Sequence, residues 1–445
     1  MNYEEAVRYI ADIPKFTKKH PLDHTREFVK RLGDPCRGKR AVHVAGTNGK
    51  GSVCAYVQAI LLCEGKKTGL FTSPHLETIR ERIVCNGEMI SRREFLEVFL
   101  PVKETACRME EEGLGHPSYF EFLYGMALAA FEKKGVEYLI LETGLGGRLD
   151  ATSAFGTPSV CTITSIGMDH TEILGDTLEK IAAEKAGIIR PKVPVVFLSE
   201  PREAAAVIRR TAEEAGAPCR GISKDAVKIQ ETGREHIAFL TGSEYDNNTP
   251  WQVRGSGAYQ AVNATLALET SRILLGMERF SDCWREALAA AYWPGRMEEV
   301  LPDVVLDGAH NLAAVEEFVR SVKNWLAQEE ARLHRKKELV ILFSAVAEKD
   351  YRDMAALLGK EIPAKAFIIT RIRDARGADT DSLEEAFRQA TDSTVLVRDS
   401  LEEALDTARK EKGRDGRLYC LGSLYLTGEL KLLLKQEKET GGSYA

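Results

Sequence analysis

The chain reads as an α/β protein of two domains, and three features predict this. A β-rich run, Ala41–Ala45, leads through a glycine-rich loop into an apolar helical stretch. Strand-like runs alternate with helical ones through most of the chain, and the alternation breaks once, at Trp293-Pro294-Gly295, where proline and glycine together disfavour a continuing helix. Alternating strands and helices imply a mostly parallel sheet with both faces covered.

In chain order, Gly46-Thr47-Asn48-Gly49-Lys50-Gly51-Ser52 follows the first strand, and the helix VCAYVQAILLCEG after it closes at Gly65. A second short strand, Thr68–Thr72, leads into Ser73-Pro74-His75. Helical spacing marks 91–111 and 118–134, and Tyr138–Leu141 reads as a buried strand. Val160–Thr164 and Val193–Phe197 repeat the theme, with a helix over Leu178–Ile188 between them. From 219 to 256 the pattern changes: AVKIQE, HIAFLT and WQVRG are short, polar-flanked runs that suggest a small antiparallel meander. Helices follow at Ala258–Leu275 and Phe280–Ala291. Beyond the break the alternation restarts with strands at Val304–Leu306, Leu339–Phe343, Ala366–Thr370, Thr394–Val397 and Leu418–Leu421. The expected division is therefore 1–295, a P-loop-type mostly parallel sheet with the meander, and 296–445, a Rossmann-like α/β domain. The tail EKETGGSYA is expected to fray.

Composition narrows the class. At 445 residues the chain is too long for one ordinary core. Hydrophobic residues at 44% and charged residues at 29% are the balance of a soluble globular enzyme. The net charge of −6 and the lack of a basic stripe argue against nucleic acid. No apolar run approaches the roughly 20 residues that span a bilayer, and the acidic start MNYEEAVRYIADIP is unlike a signal peptide. Nine scattered cysteines with no CxxC pair fit reduced thiols in a cytoplasm better than a disulfide framework or a zinc site.

Strand, glycine loop and helix in that order is the arrangement a phosphate-binding unit requires. The glycines let backbone N–H groups turn toward phosphate oxygens at a helix N-terminus. Lys50 can then reach the β- and γ-phosphates, and the Ser52 hydroxyl can ligate Mg²⁺. The spacing departs from GxxxxGK[ST]: Val44 stands at the first glycine, and Gly51 separates Lys50 from Ser52. A tight strand–helix turn without nucleotide is the plainer alternative. Glu142, at a strand end, can bind magnesium or cap a loop; Asp307 can cap the helix that follows it.

GTNGKGS resembles the phosphate loop of the folylpolyglutamate and dihydrofolate synthases, within the wider Mur ligase family. Further boxes follow in the same order. They are Thr72-Ser73-Pro74-His75-Leu76 with Glu81-Arg82, Leu141–Thr152 (LETGLGGRLDAT), Met168-Asp169-His170-Thr171 and Glu184-Lys185-Ala186-Gly187-Ile188. After them come Trp293–Glu298, Asp307-Gly308-Ala309-His310-Asn311 and Gly422–Gly428. The resemblance covers about 46–428, nearly the whole chain. Departures are Tyr259 where the family usually has His, Ser153 where Asn is usual, and Ala347-Glu348-Lys349-Asp350 in place of a DKD-like box. The arm Pro21-Leu22-Asp23-His24-Thr25 lacks the usual glycine-rich form. These departures bear on pterin-side specificity more than on the ATP chemistry.

The resemblance implies two domains closing around a cleft, with ATP and Mg²⁺ as cofactors. Gly46, Thr47, Asn48, Gly49, Lys50, Gly51 and Ser52 would hold nucleotide phosphates, joined by Asn263, Arg296, Asp307 and His310. Arg296 suits the task because its planar fork binds phosphate bidentately. Ser52, Ser73, Glu142 and His170 would form the magnesium shells, and Lys185 belongs to a box whose lysine is often carbamylated in the family. Lys50, His170, Lys185 and Arg296 are the implied catalytic group. Ser118, Phe120, Asp150 and Ala151 are implied on the pterin side. The implied reaction joins L-glutamate to a folate or dihydropteroate carboxylate through an acyl phosphate, by a cytoplasmic monomer that uses neither nucleic acid nor membrane. Competing readings are a dihydrofolate synthase alone, a peptidoglycan-type Mur ligase, a non-ligase P-loop ATPase, and an oxidoreductase suggested by the glycines at 144–147. A dinucleotide fold would want an acidic residue after its second strand, which is missing.

Overall fold

A computed structural model describes residues 1–14, 20–334 and 336–439. By packing they form two compact units, one of Met1–Lys228, Thr241–Thr249 and Val262–Ala291, the other of Ile229–Leu240, Pro250–Ala261 and Tyr292 onward.

The first unit is built on eight strands: β1 (Arg40–Ala45), β2 (Thr68–Phe71), β3 (Ile83–Cys85), β4 (Glu88–Met89), β5 (Tyr138–Glu142), β6 (Val160–Ile163), β7 (Val195–Leu198) and β8 (Cys219–Ile222). Their order is β4-β3-β2-β5-β1-β6-β7-β8. Pairing is parallel from β2 to β8, and β3 and β4 add an antiparallel edge. The central strands β2, β5, β6 and β7 are buried along their whole length, as a sheet covered on both faces must be. One face packs Leu139 and Leu141 against Phe95, Phe99, Phe122 and Phe131; another apolar cluster joins Ile163, Val195 and Phe197 to Ile181, Ala186 and Ile208. The expected helices begin where serine caps allow. Ser91 with Glu94 and Ser118 with Glu121 form capping boxes ahead of Arg92–Glu111 and Tyr119–Lys133.

The chain leaves β1 toward β2 on one side, while β6 lies on the other, so the crossover direction reverses at β1. Crevices at such switch points are where open α/β sheets take ligands. Register sets Val44 opposite Glu142 and Ala45 opposite Ile163, so the glycine loop, Glu142 and Thr164 all emerge at the carboxyl edge.

The expected meander is present as β9 (Lys228–Thr232), β10 (His236–Leu240) and β11 (Trp251–Arg254). The division at 295/296 puts it with the first domain, whereas its packing groups it with the C-terminal unit. The reason is long-range pairing to the helix Leu312–Leu333: Thr232 N donates to Gln328 Oε1 at 2.9 Å and Arg234 reaches Glu329 at 3.2 Å. The second main sheet has strands β12 (Glu298–Leu301), β13 (Val304–Leu306), β14 (Leu339–Phe343), β15 (Ala364–Ile369), β16 (Thr394–Val397) and β17 (Arg417–Leu421). Their order is β12-β13-β17-β14-β15-β16, parallel apart from β12. Of the tail expected to fray, 437–439 close the last helix, Leu424–Glu439, and 440–445 lie outside the described residues. Among the described residues no helix is long and apolar enough to cross a membrane.

Candidate functional site

The glycine loop joins β1 to the helix Lys50–Cys63 and is fastened to the end of β6. Thr47 N donates to Ser165 O at 2.7 Å, and Thr164 Oγ1 donates to Asn48 O at 2.7 Å. Thr47 Oγ1 donates to Gly167 O and accepts from Gly167 N, each at 3.1 Å. Two glycines are required by space as well as by conformation. A Cβ on Gly46 would fall 1.8 Å from Thr164 Oγ1, and one on Gly49, at φ +87°, 2.4 Å from Asn263 Oδ1. Asn263 thus lies against the turn that starts the helix, where backbone N–H groups are free of intrahelical partners.

Two ammonium groups converge on this loop. Lys50 Nζ donates to the carbonyls of Gly46 and Thr47 at 3.1 Å each, and Lys185 Nζ, on the helix Leu178–Ala186, donates to Gly46 O at 2.8 Å. Lys185 is buried, at 4% exposure, so its charge sits in a low-dielectric setting. Beside the loop, buried Glu142 accepts from Ser73 N at 3.1 Å. The Ser52 hydroxyl is buried without a hydrogen-bond partner in the structure, as is that of Thr143. An orphaned hydroxyl in the first turn after a glycine cradle, a buried carboxylate and two lysines fit a magnesium–polyphosphate group: oxygen ligands for the metal, donors and cations for the phosphates. His170 stands at the start of the short helix Thr171–Leu174, at φ 51°, half exposed, with its backbone N–H on Asp169 Oδ1 at 2.9 Å and its ring Nε2 3.9 Å from the same oxygen.

The loop after β5 is organised by Asp150. Its carboxylate accepts from Gly144 N and Leu145 N at 2.9 Å each, from Thr152 N at 3.0 Å and from Thr152 Oγ1 at 2.6 Å. Thr152 gives its one hydroxyl proton to Asp150, so His43 Nε2, 2.8 Å away, must be the donor to Thr152 Oγ1. Burial, with Arg190 nearby, pushes the His43 pKa down to about 3, which keeps the ring neutral for that role. The Phe120 ring covers Gly144 so closely that a Cβ there would lie 2.7 Å from it, and it packs on Phe71 at 5.4 Å. Ser118 caps the same helix, and Ala151 is buried in the short helix after Asp150.

In the second unit Asp307 follows β13. Its carboxylate accepts from Tyr259 Oη at 2.6 Å and from Met297 N and Ala309 N at 2.8 Å each. Burial raises its pKa, opposed by Arg296 and these hydrogen bonds. The Arg296 guanidinium lies over Gly308, where a Cβ would meet Nη1 at 2.3 Å. His310 Nδ1 is 2.7 Å from Gly308 O, and Asn311 caps the helix Leu312–Leu333 through Ala314 N at 2.9 Å.

The structure therefore brings Gly46, Lys50 and Lys185 together by direct hydrogen bonds, sets Glu142 on Ser73, and places Asn263 against Gly49. Arg296, Asp307 and Gly308 form a second group, and Asp150 turns inward to hold its own loop. Sequence reasoning missed Thr164, Ser165 and Thr143 at the strand ends, and His43 inside β1. The only available signal was a threonine-rich strand terminus, which any sheet edge can show.

Comparison with known proteins gives two family matches. The Mur ligase middle domain matches residues 44–270, and the Mur ligase glutamate ligase domain matches 295–424. The dihydrofolate synthase/folylpolyglutamate synthase of Bacillus subtilis is 34% identical, covering 97% of this chain and 99% of that protein. Among solved structures, the folylpolyglutamate synthase of Thermotoga maritima superposes with a TM-score of 0.80 at 29% identity, over 97% of this chain and 96% of that one. E. coli FolC in complex with DHPP and ADP gives 0.83 at 26% identity, over 98% and 99%.

Proposed function

Since the chain belongs to the Mur ligase family, in the branch of the folylpolyglutamate and dihydrofolate synthases, we propose that it is an ATP-dependent ligase joining L-glutamate to a folate-type carboxylate. The observation that carries this reading is the convergence of Lys50 and Lys185 on the Gly46 carbonyl, beside the orphaned Ser52 hydroxyl. A carboxylate is a poor electrophile at neutral pH. In the proposed reaction its oxygen attacks the γ-phosphorus and ADP leaves. The glutamate amine then adds to the acyl carbon, loses a proton and expels phosphate.

The chain's own task is positioning and charge neutralisation. The loop 46–52 holds the phosphates, Lys50 and Arg296 face their charge, and Asn263, Asp307 and His310 hold the rest of the nucleotide. Ser52, Ser73, Glu142 and His170 would hold magnesium, which supplies further neutralisation of the phosphate oxygens when bound. Asp150 supports pterin binding by fixing the Gly144–Leu145 backbone, while Ser118, Phe120 and Ala151 line the pterin side. Lys185, with His170, holds the metal and orients the attacking amine. In this division of labour 1–295 binds ATP phosphates, magnesium and pterin, and 296–445 completes the nucleotide and glutamate sites. The substrates are a reduced folate or dihydropteroate with glutamate. The enzyme is a cytoplasmic monomer and uses neither nucleic acid nor membrane.

Labelled glutamate supplied with dihydropteroate and, separately, with tetrahydrofolate tests the proposal. A ligase releases ADP and phosphate in step with labelled product, and only when acceptor and glutamate are both present. Product from dihydropteroate alone would make it a dihydrofolate synthase only. Nucleotide hydrolysis indifferent to both substrates would overturn the ligase reading in favour of an ATPase.

A further inference from the structure

The arm 20–25 brings two histidines onto a buried carboxylate. His20 Nδ1 lies 2.9 Å from Glu121 Oε2, and His24 Nδ1 lies 3.4 Å from Glu121 Oε1. The two imidazole rings are 4.0 Å apart between centroids. One ligand atom from each of the three residues falls within 4.8 Å of the others. Glu121 is held in place from behind: Thr25 Oγ1 donates to Oε1 at 2.5 Å, and Ser118 N donates to Oε2 at 2.8 Å.

His24 settles what the cluster is suited to. Its Nε2 is 3.2 Å from the carbonyl of Gly115, an acceptor, so Nε2 carries the proton. In the neutral ring Nδ1 is then a bare lone pair facing a carboxylate oxygen, and two acceptors repel unless a cation lies between them. A ring that donates one nitrogen to a backbone carbonyl and aims the other at an anionic ligand is the usual arrangement around a bound metal. The 3.4 Å separation of His24 Nδ1 and Glu121 Oε1 is also the edge of a tetrahedron with metal bonds of roughly 2.1 Å.

We propose that His20, His24 and Glu121 bind one divalent transition-metal ion of the zinc class. Two imidazoles and one carboxylate are a nitrogen-rich donor set that favours zinc, cobalt or nickel over magnesium or calcium. Three protein ligands leave a fourth position for water. The ion fastens the arm 20–25 to the first turn of the helix Tyr119–Lys133, next to Phe120. Its binding does not depend on the ligase reading.

The test uses the full chain, stripped with a chelator and titrated with Co²⁺ alone, followed by visible absorption and by the thermal midpoint with Zn²⁺. One equivalent of cobalt should give a tetrahedral-type band, and zinc should raise the midpoint. Glu142→Gln, which alters the magnesium group, should keep both signals. His24→Ala should lose them, weakening binding by more than the roughly 10–100-fold that loss of an outer partner costs. Should His24→Ala fail to fold, His20→Gln, in a part-exposed position outside any helix, must show the same loss. A wild-type chain that gives no cobalt band, or a band and stoichiometry unchanged in the foldable histidine variant, overturns the proposal and leaves a proton shared between imidazole and carboxylate.

Discussion

Lys185 Nζ donates to the Gly46 carbonyl at 2.8 Å, tying the buried end of this side chain to the glycine loop across 139 residues of chain. Lys50 donates to the same oxygen at 3.1 Å, so two cations share one acceptor. Carbamylation of Lys185 would turn one of them into an anion and pair it with the other. With carbon-13 bicarbonate at mildly alkaline pH, wild type is expected to show a carbamate resonance that Lys185→Ala lacks. Lys185→Ala should lose turnover and regain part of it with a short carboxylic acid. Absence of the resonance in wild type rules the modification out.

Lys50 differs from Lys185 in lying at the loop itself, part-buried and free to swing from backbone carbonyls to a phosphate. Removing one such charge-stabilising donor typically costs about 10²–10³ in turnover. Lys50→Ala is expected to fall in that range with an unchanged thermal midpoint. A folded variant that keeps half its activity would show that the loop does not work on phosphate.

Gly49 and Gly65 separate strain from clash. Both have positive φ, +87° and +67°, but a Cβ on Gly65 meets nothing within 4 Å whereas one on Gly49 meets Asn263 at 2.4 Å. Alanine at either pays the left-handed cost of roughly 1–2 kcal/mol. Only Gly49→Ala should also weaken nucleotide binding, by at least about tenfold, because the amide or the loop must move. Calorimetric titration with an unreactive ATP analogue checks this; equal affinities in the two variants contradict it.

These pairs also show what the sequence could tell. The glycine loop and the strands and helices around it were legible because each depends on local chemistry: glycines at positive φ and apolar runs bounded by turns. Asp307 reads as a helix cap, but Asn311 holds that place and the Asp307 carboxylate serves Met297, Ala309 and Tyr259 instead. The partners were not legible. Nothing near Gly46 announces Thr164, whose hydroxyl would collide with any side chain there. Nothing in His43, one polar residue inside a buried strand, announces Thr152, 109 residues away. The meander was recognised from its alternation, but its attachment to the helix Leu312–Leu333 rests on contacts such as Arg234 with Glu329 that only the fold creates. Asp150 carries the same lesson: its motif suggested ligand contact, and its carboxylate serves the backbone of its own loop.

Acid stability should depend on His43. Its folded pKa of about 3 lies below the ordinary histidine value, because a buried ring resists charging. Above pH 6.5 both folded and unfolded forms are neutral and the group has no effect. As pH falls below roughly 6.5 the unfolded chain takes a proton that the folded chain refuses, so stability drops, by about 2 kcal/mol at pH 5. The loss is complete only near the folded pKa. Urea midpoints of wild type and His43→Gln at pH 7.5 and pH 5 measure it. The variant should fall less with acid, because a glutamine amide takes up no proton in this range. Parallel pH profiles contradict the assignment.

Arg296 poses the sharpest kinetic question. The alternative role for it is a surface pair with Glu298 or Glu299, which would contribute about 0–1 kcal/mol. Both carboxylates are engaged elsewhere: Glu298 accepts from Gly295 N at 2.7 Å and from Lys431 at 2.8 Å, and Glu299 pairs with buried Arg417 at 2.9 Å. Arg296 instead lies over Gly308, beside the buried Asp307 carboxylate, whose pKa burial raises and the Arg296 charge lowers. A guanidinium held over a glycine keeps its donor fork available, and bidentate contact with phosphate is what that fork does best. If the contact forms mainly as charge develops on the transferring phosphoryl group, its loss appears in turnover and hardly in ground-state binding. Arg296→Ala is therefore expected to lower kcat by at least about tenfold while changing ATP affinity by less than about threefold. Arg296→Lys should recover only part of kcat, because a point charge cannot replace the fork. Steady-state kinetics beside ATP-binding calorimetry decide it. Turnover within about twofold of wild type would reduce Arg296 to a partner of Asp307 and remove it from the reaction.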